Sequence, residues 1–493
     1  MEIDMADIRP NLLLITTDQQ RYDTCGEAAP AFMRTPHFDQ LAREGVTFTA
    51  AYADCPLCVP SRVSIMTGMS ALGHNMLYNG HSSEVMGHEE TLPALLRHSG
   101  YQTAAIGKMH FTPQRLRHGF EEMILPDDYY HAMHRSGNPL QPLRHGLGQN
   151  EVYAGLSTVP EPLTLTSWIT EQCVEYLQRR RDPSLPFMLW CSFSKPHPPF
   201  DPPEPYYSMY RDCPIDDPIT DTWRDGEECP AVLRREQLLW NADRLSPDTI
   251  RAARVAYYGL ITQIDYNMGR LFAALQETGL YDNTMILYTS DHGEMLGDHR
   301  SVAKTYFYEP ASHVPFLLRL PRTWEHRCPG MTESGLVSLC DIMPTFLAAA
   351  GVAQPSSCDG RNLIAQVREE LPPRSHLEAT VHDRGVWGWG YFYMAITDGR
   401  WKYIWYPEGP CEQLFDLQID PHETQNLASS QPYRQKRDEL KQQLTCSHRQ
   451  RELDTIRDGK LIERAVIQMS EEQIRNHYRL ACYTELAPFD IRH

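Results

Sequence analysis

Two cysteines at Cys55 and Cys58 lie in Asp54-Cys55-Pro56-Leu57-Cys58-Val59-Pro60-Ser61-Arg62, and Thr67-Gly68 follow five residues after the arginine. A lone C-x-x-C reads generically as a thioredoxin-like redox pair. Here the proline, serine and arginine point to different chemistry. Pro60 is suited to the first turn of a helix whose N-terminus would face an anion, and Arg62 could clamp the oxygens of such an anion. Two further pairs, Asp18-Gln19 and Asp291-His292, lie far apart in the chain. Oxygen ligands from Asp18, Gln19 and Asp291, a contact from His292 and the side chain of residue 58 would together make a site for a hard divalent cation. Gly107-Lys108-Met109-His110 and Ser194-Lys195-Pro196-His197 add cations and proton carriers. Taken singly, each of these short patterns is as readily a surface accident.

The elements that must position them share one form. Asn11 to Thr17 is an apolar run ending at Asp18. The form recurs at Thr103 to Ile106 before Gly107-Lys108, at Phe187 to Phe193 before Ser194-Lys195, and at Met285 to Ser290 before Asp291-His292. Such runs suit buried strands of a parallel sheet. Helical spacing appears between them, at Trp168 to Leu177 and at Ile250 to Leu275. The second helix is expected to have Ser246 as its N-cap, Pro247 at its first position and Gly279 just beyond its end. This alternation predicts a doubly wound, mostly parallel α/β sheet flanked by helices, with ligands bound beyond the C-terminal ends of the strands. Residues 197–233, rich in Pro, Asp and Tyr, read as a long ordered loop. Around the Asp398-Gly399 turn, GYFYMAITDGRWKYIWY reads as an aromatic hairpin. The division expected is a catalytic domain over residues 1–370 and a smaller α+β subdomain over 371–493, with antiparallel strands and a charged helical tail.

Cys58-x-Pro60-Ser61-Arg62 followed by Thr67-Gly68 resembles the signature of type I sulfatases, formylglycine-dependent members of the alkaline phosphatase superfamily. The resemblance runs over roughly residues 10 to 430, including Leu414-Phe415-Asp416-Leu417 and Asp420-Pro421-His422-Glu423. It implies an alkaline-phosphatase-like fold in which Cys58 is oxidised to formylglycine by a separate maturation enzyme. The hydrated aldehyde would attack sulfur, form a covalent sulfo-enzyme, and release sulfate by elimination. It further implies that Asp18, Gln19, Asp291, His292 and residue 58 bind the metal. Calcium is the usual ion, and a histidine at 292 leaves manganese or magnesium open. Lys108 and Lys304 would bind the sulfate, His110 would take the formylglycine proton, and His197 would act as general acid. Asn79, after Tyr78, resembles a substrate-facing position in the choline-sulfatase and phosphonate-monoesterase branch. His313 departs from the family, which frequently has arginine there.

Asp plus Glu outnumber Lys plus Arg by 64 to 46, a net charge of −18 over 493 residues, which argues against nucleic acid or anionic membrane as partner. Local pocket charge must therefore attract an anionic substrate. No run approaches the ~20 apolar residues of a spanning helix, and the charged start has no signal-peptide form, so a cytoplasmic protein is expected. The 13 cysteines show no disulfide spacing. The substrate class expected is a small sulfated carbohydrate, alkyl or aryl ester, with specificity set by loops 127–160 and 197–233. A homo-oligomer through the tail is left open. The competing functions are a phosphonate monoester or phosphodiester hydrolase of the same superfamily, set apart by the Lys108-x-His110 pair, and a non-catalytic homologue whose Cys58 is never oxidised.

Overall fold

The computed structural model describes residues 9–80, 86, 90–137, 141–224, 229–384, 390–447 and 455–476. In chain order its main strands are β1 (Asn11–Asp18), β2 (Val46–Phe48), β3 (Ala51–Tyr52), β4 (Gln102–Gly107), β5 (Glu122–Ile124), β6 (Phe187–Pro196), β7 (Thr284–Ser290), β8 (Phe316–Arg319), β9 (Met331–Glu333), β10 (Val337–Ser338), β11 (Leu377–His382), β12 (Phe392–Thr397), β13 (Trp401–Tyr406) and β14 (Cys411–Asp416). Eight of them form one sheet in the order β5-β4-β6-β1-β7-β8-β2-β9. The pairings from β5 through β7 are parallel, whereas β8 runs antiparallel to both β7 and β2.

Strand alternation explains why the central runs are apolar throughout. Leu12 and Leu14 face one layer, with Val63 and Ile65 of the helix Cys58–Thr67 and Phe346 of the helix Ile342–Ala349. Leu13 and Ile15 face the other, with Ile169 of the helix Leu165–Glu175 and Ile261 and Met268 of the helix Pro247–Glu277. Both faces of β1 are thus buried, as a central parallel strand requires. The long helix has the predicted termini: the Ser246 hydroxyl accepts from the Thr249 amide at 3.1 Å, Pro247 is its first residue, and Gly279 follows with φ +71°.

Strands β11 to β14 form an antiparallel sheet in sequence order, with the predicted hairpin as β12 and β13. One face carries Met394 and Ile396, which pack against Leu440 and Leu444 of the helix Arg434–Cys446. The other face places Ala395, Ile404 and Tyr406 in one cluster with Tyr52, Leu57 and Phe307. The smaller sheet therefore shares a core with the region around residue 58. Two details depart from expectation. The segment 197–233 is interrupted by the helix Tyr206–Tyr210 and the start of the helix Ala231–Leu239. Past Ser447 the tail holds a two-residue antiparallel pair, Ile456–Arg457 with Lys460–Leu461. Residues 448–454 and 477–493 of the tail, to which the oligomerisation expectation refers, lie outside the described residues. No helix among those described is long and apolar enough to cross a membrane.

Candidate active site

Because β4, β6, β1 and β7 are neighbours and parallel, their C-terminal ends bring Lys108, His197, Asp18 and His292 to one edge of the sheet. Close approach matters at Gly107. A side chain there would put its Cβ 1.9 Å from the Ser192 carbonyl oxygen, and φ is +106°. Only glycine lets β4 deliver Lys108 beside β6.

Cys58 is the first residue of its helix, two positions earlier than Pro60 predicted, so the reactive position itself occupies the N-terminal turn. The Asn79 side-chain oxygen accepts from the Val59 amide at 3.0 Å, which places Asn79 beside residue 58 as a partner of that turn. Cys58 Sγ lies 3.2 Å from His292 Nε2 and 3.8 Å from Asp18 Oδ1. Ligand atoms of Asp18, Cys58, Asp291 and His292 all fall within 4.8 Å of one another, and all four residues are buried.

Two buried carboxylates this close repel each other, and cations gather on them. Lys108 Nζ sits 2.7 Å from Asp18 Oδ2, and Arg62 Nε donates to Asp291 Oδ2 at 3.0 Å. Burial alone would raise the Asp18 carboxyl, but Lys108, His197, Arg62 and His292 together hold it well below the usual range. Asp291 goes the other way, pushed up to about 6 by burial and by Asp18. Burial and Asp18 also oppose ionisation of the Cys58 thiol, yet Lys304, Lys108 and His292 outweigh them and bring it down to about 6.

Gln19, predicted as a further metal ligand, follows Asp18 directly, and its backbone amide donates to Asp291 Oδ1 at 3.1 Å. Its side-chain oxygen accepts from Lys304 Nζ at 2.8 Å and its side-chain nitrogen donates to Glu294 Oε2. His197, predicted as general acid, has both ring nitrogens engaged. The Nδ1 proton is engaged by the Pro198 carbonyl at 2.9 Å, and Nε2 accepts from Lys304 Nζ at 2.8 Å. Burial, Lys304 and Lys108 hold this imidazole well below its ordinary pKa. His110, at φ 58°, lines a cavity of about 390 Å³ together with Lys108 and His197. Loops 127–160 and 197–233 supply its outer wall, including Asp127, Tyr130, Leu143 and Asp201. His313 is instead a packing residue, stacked on Tyr22 at 4.0 Å and bound to Glu309 Oε2 at 2.7 Å.

Sequence reasoning missed Ser192 and Glu294. The Ser192 hydroxyl accepts from Arg62 at 2.9 Å, but it lies within a strand run that carries no motif. Glu294 follows Asp291-His292-Gly293 directly, and that position was the available signal.

The family model described as Sulfatase matches residues 10–352. The chain belongs to the sulfatase family. A second model, described as N-sulphoglucosamine sulphohydrolase, C-terminal, matches residues 297–450 of this sulfatase. An arylsulfatase of Clostridium perfringens (strain 13 / Type A) is 34% identical over 457 residues, covering 88% of this chain and 93% of its own. The multifunctional alkaline phosphatase superfamily protein PehA of Trinickia caryophylli is 31% identical over 486 residues, covering 86% and 92%. Among solved structures, the phosphonate monoester hydrolase SpPMH from Silicibacter pomeroyi superposes on the sulfatase with a TM-score of 0.75 at 26% identity, over 90% of this chain and 95% of that one.

Proposed function

We propose that this sulfatase cleaves a small sulfate monoester using residue 58, oxidised from cysteine to formylglycine, and one divalent cation. The observation that carries the proposal is the placement of Cys58, at a buried helix N-terminus beside two carboxylates, one imidazole and three cationic side chains. Asp18, Gln19, Asp291, His292 and residue 58 would hold the cation. Their mixed oxygen and nitrogen donors fit a hard or borderline divalent ion, which would offset the paired carboxylates of Asp18 and Asp291. Formylglycine supplies a hydrated-aldehyde hydroxyl as nucleophile, and the cation supplies charge neutralisation next to it.

The remaining work falls to side chains of the chain itself. Lys108 and Lys304 carry the positive charge that receives anionic oxygens, which reconciles anion binding with an acidic protein. Arg62 is held by Asp291 and Ser192, so its guanidinium is fixed rather than mobile. His110 faces the cavity as acceptor for a proton from residue 58. His197, lining the cavity 2.8 Å from Lys304 Nζ, would act as general acid for the leaving oxygen, with a bound ester anion raising its basicity.

The test is the mass of the proteolytic peptide containing residue 58, from protein made in its native host. Formylglycine is expected, and an unmodified thiol in active enzyme would overturn the mechanism. The likeness to SpPMH supports phosphonate monoester hydrolysis as a second reading. Relative rates on an aryl sulfate, a phenyl phosphonate ester and an intact sulfated polysaccharide separate the readings, with the aryl sulfate expected to be fastest. A phosphonate preference would reverse the order, and rapid desulfation of the polysaccharide would refute a small substrate.

Removing the cation with a chelator should stop turnover and lower the melting temperature. Calcium, manganese and magnesium are then titrated back singly. The ion that restores activity should stabilise the protein by about 2.7 kcal/mol at a hundredfold excess over its Kd. Full activity after exhaustive chelation would contradict the donor assignment.

A further inference from the structure

The outer wall of the cavity is mostly apolar, with Phe111, Leu125, Val159, Leu165 and Leu260 among its side chains, and Asp201 interrupts it with a carboxylate. One neighbour donates to each oxygen of that carboxylate. Lys195 Nζ lies 2.5 Å from Oδ1, and His145 Nε2 lies 3.1 Å from Oδ2. His145 Nδ1 accepts from the Leu147 amide at 3.0 Å, so the ring carries its proton on Nε2, toward Asp201. Lys195 gives its other hydrogens to the Pro199 carbonyl at 2.5 Å and, more weakly, to the His197 carbonyl at 3.5 Å. The backbone on either side of Asp201 is fixed as well. The Phe200 carbonyl accepts from the Gly155 amide at 2.9 Å, and the Pro202 carbonyl accepts from the Ser157 amide at 3.2 Å. The carboxylate is therefore held in one place at the cavity wall.

An ionised carboxylate has about four acceptor sites, and these two partners fill only two of them. Lys195, by contrast, has no hydrogen left to give. The Asp201 side chain keeps 13% exposure and lines the cavity, so its unfilled sites are open to a ligand. Stability does not explain such a pair, because apolar residues in its place are often as good or better. A few fixed polar groups in a mostly apolar pocket are instead what orients a ligand. The Lys195 ammonium touches both this carboxylate and the His197 backbone, so Asp201 and His197 face one small leaving group in a cavity of about 390 Å³. We infer that Asp201 is a specificity-determining residue: its carboxylate accepts a hydroxyl hydrogen from the alcohol half of the ester. The preferred leaving group is then a diol or polyol with a second free hydroxyl. Local charge selects a hydroxyl over an ammonium. Lys195 already neutralises Asp201, so a second cation would be repelled by the first, and a second anionic group would meet the carboxylate itself.

The inference rests on the proposed sulfate-ester hydrolysis, so turnover of phenyl sulfate by the parent enzyme is the control. No turnover would refute that reading and the inference with it, whereas turnover without the preferences below would refute the inference alone. The probes are 2-, 3- and 4-hydroxyphenyl sulfate, each compared with phenyl sulfate and with its own methyl ether, which keeps the oxygen but has no hydrogen to give. In the parent, kcat/KM for one hydroxyl isomer should exceed both comparisons by about tenfold or more, the weight of a hydrogen bond to a charged group. In Asp201→Asn the remaining oxygen is taken by Lys195, and kcat/KM for that isomer should fall about tenfold further than for phenyl sulfate. Equal losses on every ester would mark a structural role and overturn the inference, as would a parent with no hydroxyl preference. Faster turnover of a trimethylammoniophenyl sulfate than of every hydroxyl isomer would overturn it in favour of a cationic leaving group. Should Asp201→Asn not fold, Asp201→Glu keeps the charge beside Lys195 and moves the acceptor by one methylene. The favoured isomer should then change, or its advantage shrink about tenfold, and an unchanged pattern would overturn the inference.

Discussion

Replacing Cys58 with alanine is expected to lower turnover by about 10⁴-fold or more, the scale seen when a nucleophile is deleted from an otherwise intact site, while the protein still folds. Position 58 opens a ten-residue helix whose residues are all buried. Alanine is the most favourable helix residue, so the helix persists. The change removes one buried sulfur and leaves Arg62, Lys108 and Lys304 with their carboxylate and amide partners, at a stability cost on the order of 1 kcal/mol. Loss of activity with a melting temperature lowered by only a few degrees then isolates residue 58 as the reacting group. The check is kcat for an aryl sulfate alongside thermal denaturation of the same preparation. Activity within about tenfold of the parent would exclude residue 58 as nucleophile and leave the cation cluster to act without it.

Lys402→Met should cost about 3–5 kcal/mol, because it leaves buried charge without a partner. Lys402 is fully buried on β13, and its Nζ lies 2.7 Å from both Glu309 Oε1 and Glu423 Oε1. Glu309 also accepts from the Tyr52 hydroxyl at 3.0 Å, and Glu423 accepts from the Glu309 amide at 2.8 Å. One lysine thus ties the smaller sheet to the segment that follows Lys304. Methionine keeps the length and removes the charge. Burial opposes ionisation of Glu309, but Lys402 and His313 hold its carboxyl well below the usual range. Its contribution to stability is therefore present above the ordinary carboxyl pKa and is lost as pH falls. Glu423 is already raised by burial in the parent; without the ammonium, burial and carboxylate repulsion raise Glu309 as well, so the native variant takes up protons at a higher pH than the parent. The stability gap should consequently be widest near neutral pH and narrow below about pH 5. Denaturant titrations of both proteins across that range decide it. A gap that is constant with pH would mean that Lys402 acts by packing alone.

Much of the site can be read from the linear chain because parallel strands leave local marks. Each central strand is buried on both faces, so it must be a continuous apolar run, and the first polar residues after it must lie at the sheet edge. Asp18, Lys108, His197 and Asp291 were located in this way, and the Cys58 motif supplied the chemistry that ties them together. The termini of the helix Pro247–Glu277 were legible for a similar reason, since capping is settled by residues within one turn.

What the chain could not reveal depends on which side chains meet across space. The hydrogen bonds that join Gln19 to Glu294 and Lys304 arise because Lys304 reaches the end of β1, a contact between residues 285 positions apart. The state of His197 follows from the same ammonium. The burial of Lys402 between two glutamates arises only when the antiparallel sheet docks on the catalytic core. Residue types and short spacings therefore determined the reaction class and the positions that could carry it. Donor-acceptor pairing and local charge, which exist only after the strands assemble, decided which of those residues meet around Cys58 and which partners each one holds.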